Sequence, residues 1–424
     1  MQLGKEPQVM FKKLINTQSR DFIKTSFGNI LEWYDFTIYG LFAIGISKAF
    51  FNTESKFIAL ILVFATFAVG FLARPVGSII FGLIGDKYGK HYAVNLSIWL
   101  MAVPTALIGL LPGYQQIGVA APILLVILRI CQGLSAGGQF SGLIAIAVDS
   151  NSTQRNFLVS LVYAISVIGC FVASFVGYIS VVGVSYFNPV SDFSQSLMWR
   201  IPFLISALLF IIYLKLNPEF HKSEVNENAL SLRQIFKRQP KELITMGIIG
   251  ASGMSVYYLL FTYLVTFMQL YLHLAKDLSF LIMNGLLLLS IILYPSFGLI
   301  ADRLTNRINS AQKMVFVFAV GIALFVASTY SLWFGIMGLI VMVVAYCAIT
   351  SYTTSIFAEI FAPEYRMTAC SFSFNIGVTV AGFAPLIAEV VSKLSVFGLS
   401  AFILFVTITL YYGLSLANKH LAHN

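Results

Sequence analysis

The chain has 424 residues, of which 58% are hydrophobic and 10% charged, with a formal net charge of +9 and a mean hydropathy of +0.87. A soluble domain carries about 25% charged residues, so this composition excludes an ordinary soluble enzyme and places the chain in lipid. Its apolar runs are about 20 residues long, enough to cross a hydrocarbon core of roughly 30 Å as helices, whereas a transmembrane barrel would alternate over segments of about 10 residues.

Residues 1–23, MQLGKEPQVMFKKLINTQSRDFI, are basic and polar without a small-residue cleavage site, and read as a retained cytosolic tail. Membrane helices are predicted at 24–50, 57–81, 91–111, 119–148, 157–182 and 200–216, then at 243–271, 278–301, 313–331, 332–358, 367–391 and 394–416. A first bundle thus occupies 24–216, a cytosolic loop 217–241, a second bundle 242–416 and a tail 417–424. With the N-terminus in the cytoplasm, only Lys48, Lys56, Lys276 and Lys393 fall outside, while Arg74, Arg129 and Arg200 lie within or at the edge of spans. Both termini are then cytosolic, and the positive charge follows from topology without a nucleic-acid partner.

Span one contains GNILEWYDFTIYG, with Glu32 and Asp35 three residues apart. A carboxylate at a bilayer centre costs roughly 3 kcal/mol on insertion scales, so two of them need a function. Arg129, about ten residues into span four, poses the same cost with the opposite sign. If Asp35 and Arg129 face each other, their attraction is roughly 4 kcal/mol at 4 Å with an effective dielectric near 20, which offsets part of the burial penalty. Such a pair is either a permanent structural bond or a latch that protonation of Asp35 opens, with Glu32 able to share the proton. Around Arg129, Gly133, Gly137, Gly138 and Gly142 have the small-residue spacing of close helix packing. Cys131, Cys170, Cys347 and Cys370 all fall in apolar spans and read as packing residues, and neither they nor the five His have metal-ligand spacing. No metal, cofactor or enzymatic centre is expected.

The sequence repeats itself across the central loop. FGLIGDKYGKH (81–91) follows span two and FGLIADRLTNR (297–307) follows span eight, while AIAVDSNSTQRNF and SIFAEIFAPEYRMT place Asp149 opposite Glu359 and Arg155 opposite Arg366. Asp86 and Asp302 each follow a Gly-rich helix end where a neighbouring helix from the other half can approach. A carboxylate there suits that helix's N-terminal N–H groups and dipole. Lys87, Lys90, Asp149 and Arg155, with Arg303, Arg307, Glu359 and Arg366, are its expected pairing partners in a cytosolic gate. The alternative is a solvated charge cluster that merely obeys topology.

These features carry a resemblance. GNILEWYDFTIYG, ARPVGSIIFGLIGDKYGK, RICQGLSAGG, WRIPF, NPEF, LRQIFKRQP and YYLLFTYL run nearly end to end. Together they resemble the major facilitator superfamily and, within it, the metabolite:proton symporters that include proline/betaine, oxoglutarate, citrate and shikimate carriers. Gln139 stands where that pattern has Glu, and Val265 where it has Pro. The resemblance implies an all-α membrane protein of twelve helices in two pseudo-symmetric six-helix halves, with a solute site near the midplane and alternating access. It also favours the latch reading for Asp35, Glu32 and Arg129.

Arg74 and Arg129 could receive a carboxylate by a bidentate fork, whereas the second half offers no cation in spans seven, eight, ten or eleven, so a monocarboxylate or zwitterion fits better than a tricarboxylate. Trp33, Tyr34, Tyr39, Gln139, Tyr257, Tyr258 and Tyr263 are the other candidate solute contacts, because aromatic walls suit a quaternary ammonium or prolyl group. The expected function is import of such a solute with protons across a plasma membrane, of the bacterial inner-membrane kind, by a monomer. A uniporter or exchanger is the alternative within transport, and a membrane sensor or intramembrane enzyme the alternative outside it.

Overall fold

A computed structural model describes residues 17–88, 90–137, 140, 143–144, 147–148, 154–187, 192–216, 239–361, 366–395 and 397–423. Every regular element among them is a helix. Span one is α1 (Thr17–Leu41) and α2 (Ala43–Phe50); span two is α3 (Lys56–Leu72) and α4 (Arg74–Tyr88). Then follow α5 (Lys90–Leu110), α6 (Ala120–Ser135), α7 (Arg155–Phe187) and α8 (Asp192–Leu216). In the second half, α9 (Pro240–Tyr258), a π-helical turn Leu259–Tyr263 and α10 (Leu264–Leu270) form span seven. Beyond it lie α11 (Lys276–Ala301), α12 (Arg307–Val326), α13 (Leu332–Thr353), α14 (Arg366–Ala381), α15 (Ala384–Leu394) and α16 (Gly398–His423).

Among the described residues, nine helical stretches are long and apolar enough to cross a membrane, and Leu96–Leu110 and Ala120–Ser135 are shorter apolar helices. Span one is the predicted element absent from that group. Asn29, Glu32, Asp35 and Thr37 dilute its hydropathy, yet all four are buried, so the polar face of α1 is turned into protein rather than lipid.

The two halves use the same pairings. In the first, α1 packs on α7, α5 on α8 and α3 on α6; in the second, α9 packs on α14, α12 on α16 and α11 on α13. Each is the counterpart of the other under a shift of six spans, which is what a duplicated six-helix unit dictates. The halves meet along two seams that are themselves counterparts, α7 against α11 and span two against span eleven. Close approach explains the small residues: a Cβ at Gly133 would overlap the Gly70 carbonyl oxygen, and one at Gly40 would overlap Thr262 across the seam. Gly138 and Gly142 lie outside the described residues.

Candidate functional site

The polar residues of α1 recur at 29, 32 and 35, one face of the helix; Asn29 donates to Ser166 of α7, while Glu32 meets Arg74 of α4 and Asp35 meets Thr105 of α5. Ala73, still in the right-handed helical region, joins α3 to α4, and Arg74 at the head of α4 is buried, 3% exposed. There Arg74 Nη2 stands 3.6 Å from Glu32 Oε1, an ion pair with both partners buried. Its guanidinium lies over the rings of Phe36 and Phe71, at 4.4 and 4.6 Å from their centroids.

Asp35 and Arg129 lie in the same cluster but are joined indirectly. Arg129 Nη1 donates to Gln132 Oε1 (2.9 Å), Gln132 Nε2 donates to Thr105 Oγ1 (2.6 Å), and Thr105 Oγ1 donates to Asp35 Oδ2 (2.8 Å). The direct pairing expected from sequence is therefore replaced by a relay of two neutral side chains. The first ion pair of the cluster belongs instead to Glu32 and Arg74. Arg129 is held by rings, 4.3 Å from the centroid of Tyr39 and 5.1 Å from those of Phe36 and Phe67. Cation–π contacts of this desolvated kind contribute up to about 2 kcal/mol and need no counter-charge.

Several buried polar atoms here have no hydrogen-bond partner: both Glu32 oxygens, Asp35 Oδ1, Arg74 Nε, Arg129 Nε and Nη2, and the Tyr258 hydroxyl. Buried polar groups are normally satisfied, and each one left bare costs about 1–3 kcal/mol. Their concentration in one place leaves several donors and acceptors of the cluster with unused hydrogen-bonding capacity. Tyr258 reaches it from the second half, packing edge-on against Phe67 and Phe71 with its hydroxyl within electrostatic range of Arg74 and Glu32.

The remaining aromatic candidates separate. Trp33 donates its indole N–H to Asn29 (3.1 Å) and sits edge-on to Phe140 and to Tyr257 across the seam. Tyr257 is hydrogen-bonded with Cys170 at 2.8 Å, the thiol that also accepts from Thr37. Tyr39 has its ring against Arg129 and its hydroxyl on the Val63 carbonyl. Tyr34 points the other way, donating to the Pro202 carbonyl at 2.6 Å inside the first half, so it is placed as a packing residue. Tyr263 donates to Glu389 on α15. Gln139 lies outside the described residues. Sequence reasoning passed over Thr105, Gln132 and Glu389; the first two carry no charge to flag them, but Glu389 is a lone carboxylate in the apolar run PLIAEVV and could have been found on that ground.

At the end of the bundle where α1 begins and α16 ends, Asp302 links the two halves. Its carboxylate accepts from the backbone N–H groups of Asn156 (2.8 Å) and Phe157 (3.1 Å) and from the Asn156 side chain (2.8 Å), capping the N-terminus of α7. Arg307 donates to Glu359 (2.7 Å) and to Asn156 (2.7 Å), and Arg155 stands 3.5 Å from Glu359. Arg303 is exposed. The side chains of Asp86, Lys87, Lys90, Asp149 and Arg366 lie outside the described residues. At the opposite end, cavities of about 540 and 500 Å³ open beside Lys48, both lined by residues of the two halves, the second including Arg200, Gln269 and Lys276.

Comparison with known proteins agrees with this architecture. Residues 25–369 match the family model of the Major Facilitator Superfamily. The chain is 32% identical over 387 residues to the proline/betaine transporter of Escherichia coli K12, covering 86% of this chain and 75% of that one. It is 30% identical over 386 residues to the glycine betaine/proline/ectoine/pipecolic acid transporter OusA of Dickeya dadantii 3937, covering 85% and 75%. Among solved structures, a D-xylose–proton symporter superposes with a TM-score of 0.70 at 13% identity, over 93% of this chain and 96% of that one.

Proposed function

Because the chain belongs to the major facilitator superfamily, and is thus a multi-pass membrane transporter and not an enzyme, we propose that it imports a small zwitterion of the proline or betaine class together with protons. The names of its relatives support the solute class. The coupling rests on one observation: a buried Glu32–Arg74 pair with unsatisfied atoms on both partners, at a seam between halves. At 3.6 Å the pair attracts by about 5 kcal/mol with an effective dielectric near 20. Protonating Glu32 cancels that attraction and frees the Arg74 fork for a solute carboxylate, so proton and solute load together. Asp35 is the second proton site, released from Arg129 through the Thr105–Gln132 relay. Arg129 and Tyr258 complete the carboxylate pole, and Trp33 and Tyr257 wall the seam beside it.

Access alternates by rocking one half against the other. The Asp302 cap and the Arg155–Glu359–Arg307 bridge hold the termini end shut, and both termini face the cytoplasm of a bacterial cell whose inner membrane the protein crosses. A single chain contains all the named groups and works as a monomer. Uptake of labelled glycine betaine and proline into proteoliposomes, with and without an imposed inward proton gradient, tests the reading. Accumulation that follows the gradient supports it; equilibration regardless of the gradient would make the protein a uniporter or exchanger, and no uptake of either solute would remove the solute class.

A further inference from the structure

Glu389 takes no part in the scheme above, yet it is only 2% exposed. The other described carboxylates of the second half, Glu242, Asp277, Asp302 and Glu359, all lie at helix ends, whereas Glu389 is in the middle of α15. Its two oxygens accept the hydroxyls of Tyr263 (2.8 Å) and Tyr271 (3.1 Å). None of the described cations is ion-paired with it, and Lys393, one turn along, acts only at longer range. Beside it the Ser392 hydroxyl is buried, 3% exposed, next to Tyr263.

The surroundings are aromatic. Tyr263, Phe267 and Tyr271 follow one another along span seven, with centroids 6.4 and 5.2 Å apart, and Phe64 of the first half meets Tyr263 edge-on at 5.7 Å. Helix α15 packs on α3, so the carboxylate lies where the halves touch. A buried anion compensated by hydroxyl dipoles alone is costly, and its natural complement is a cation of low hydration. Ring faces beside a carboxylate are the chemistry that holds quaternary and secondary ammonium groups.

We propose that Glu389, Tyr263, Tyr271 and Phe64 form the receptor for the cationic group of the transported solute, of the quaternary or secondary ammonium class. The inference rests on the zwitterion reading and deepens it: the first half supplies the arginine pole for the carboxylate, and the second half supplies the anionic, aromatic pole for the cation. A solute bearing both charges finds a complement for each, while a simple carboxylate or a simple amine finds one.

Titration calorimetry on the purified full chain tests this without transport, using tetramethylammonium chloride and sodium acetate as separate probes. Tetramethylammonium is expected to bind the natural chain, and Glu389→Gln to weaken it by on the order of tenfold, the effect of losing one desolvated charge contact, with acetate affinity unchanged. Should Glu389→Gln fail to fold, Phe64→Leu, which removes a ring and leaves the carboxylate, should weaken tetramethylammonium severalfold and leave acetate alone. The inference is overturned if tetramethylammonium does not bind the natural chain, binds Glu389→Gln equally, or falls in step with acetate. A natural chain that binds tetramethylammonium as expected but accumulates no zwitterion under a proton gradient would instead overturn the transport reading.

Discussion

Asp302→Asn is the sharpest perturbation of the proposed gate. The Asp302 carboxylate holds two backbone N–H groups at the start of α7 and the Asn156 side chain. An amide keeps the size but retains one acceptor oxygen and turns its NH2 toward donors. Charge-assisted hydrogen bonds contribute about 1.5–3 kcal/mol and a helix-dipole contact about 0.3–1 kcal/mol, so a net loss of about 2 kcal/mol is expected after relaxation. Because 1.4 kcal/mol is a factor of about ten in population, the closed termini end should lose roughly thirtyfold of its advantage. Spin labels at Lys215 and Asn309, on opposite halves at that end, read the separation by double electron–electron resonance in a chain without its four native cysteines. The parent should give a dominant short distance and Asp302→Asn a new, longer one. Arg303→Gln, exposed and one residue away, should change nothing. An Asp302→Asn distribution identical to the parent's would refute the cap as a gate and return Asp302 to a solvated charge.

Three further outcomes are expected. Glu359→Gln removes the partner of both Arg155 and Arg307; the cluster is partly exposed, so stability should fall by about 1 kcal/mol, and a double-mutant cycle with Arg307→Gln should show coupling near that size in thermal unfolding. Gly133→Leu, whose side chain would enter the space of the Gly70 backbone, should cost more than 3 kcal/mol or prevent insertion, seen as loss of a monodisperse peak in size-exclusion chromatography. Tyr34→Phe should cost about 1 kcal/mol in thermal stability for one hydrogen bond and leave the KM for glycine betaine unchanged, whereas Tyr258→Phe should raise that KM severalfold with little effect on stability.

The fold was legible because lipid imposes a simple code: apolar runs of span length, cationic loops and a duplicated FGLI[G/A]D motif together specify twelve helices in two halves. The contacts of Asp302, Arg307 and Glu359 at the end of the bundle were partly legible for the same reason, since Asp302 and Arg307 stand at fixed positions in a repeated segment. The interior pairing was less so. Glu32 and Asp35 differ by three positions, 300° of helical rotation, which is 60° around the helix, and sequence cannot tell which of two nearby carboxylates meets which of two arginines. In the structure Arg74, at the head of α4, stands on the Glu32 side, while Thr105 and Gln132 fill the space between Asp35 and Arg129. Neutral residues acting as a relay leave no trace in a charge pattern. Tyr34, Tyr257, Tyr258 and Tyr263 look alike in sequence, yet one faces a carbonyl within its own half, one a thiol, one the open cluster and one a carboxylate.

Proton movement accompanying solute entry tests the central claim most directly. Proteoliposomes at equal internal and external pH, with a pH indicator in a weakly buffered exterior, are given glycine betaine. The natural chain should alkalinise the exterior as protons enter with the solute, and Glu32→Gln should abolish that signal while solute exchange across the membrane partly survives. An exterior pH that does not move during uptake by the natural chain, or a proton signal that persists unchanged in Glu32→Gln, would contradict the Glu32–Arg74 pair as the coupling element.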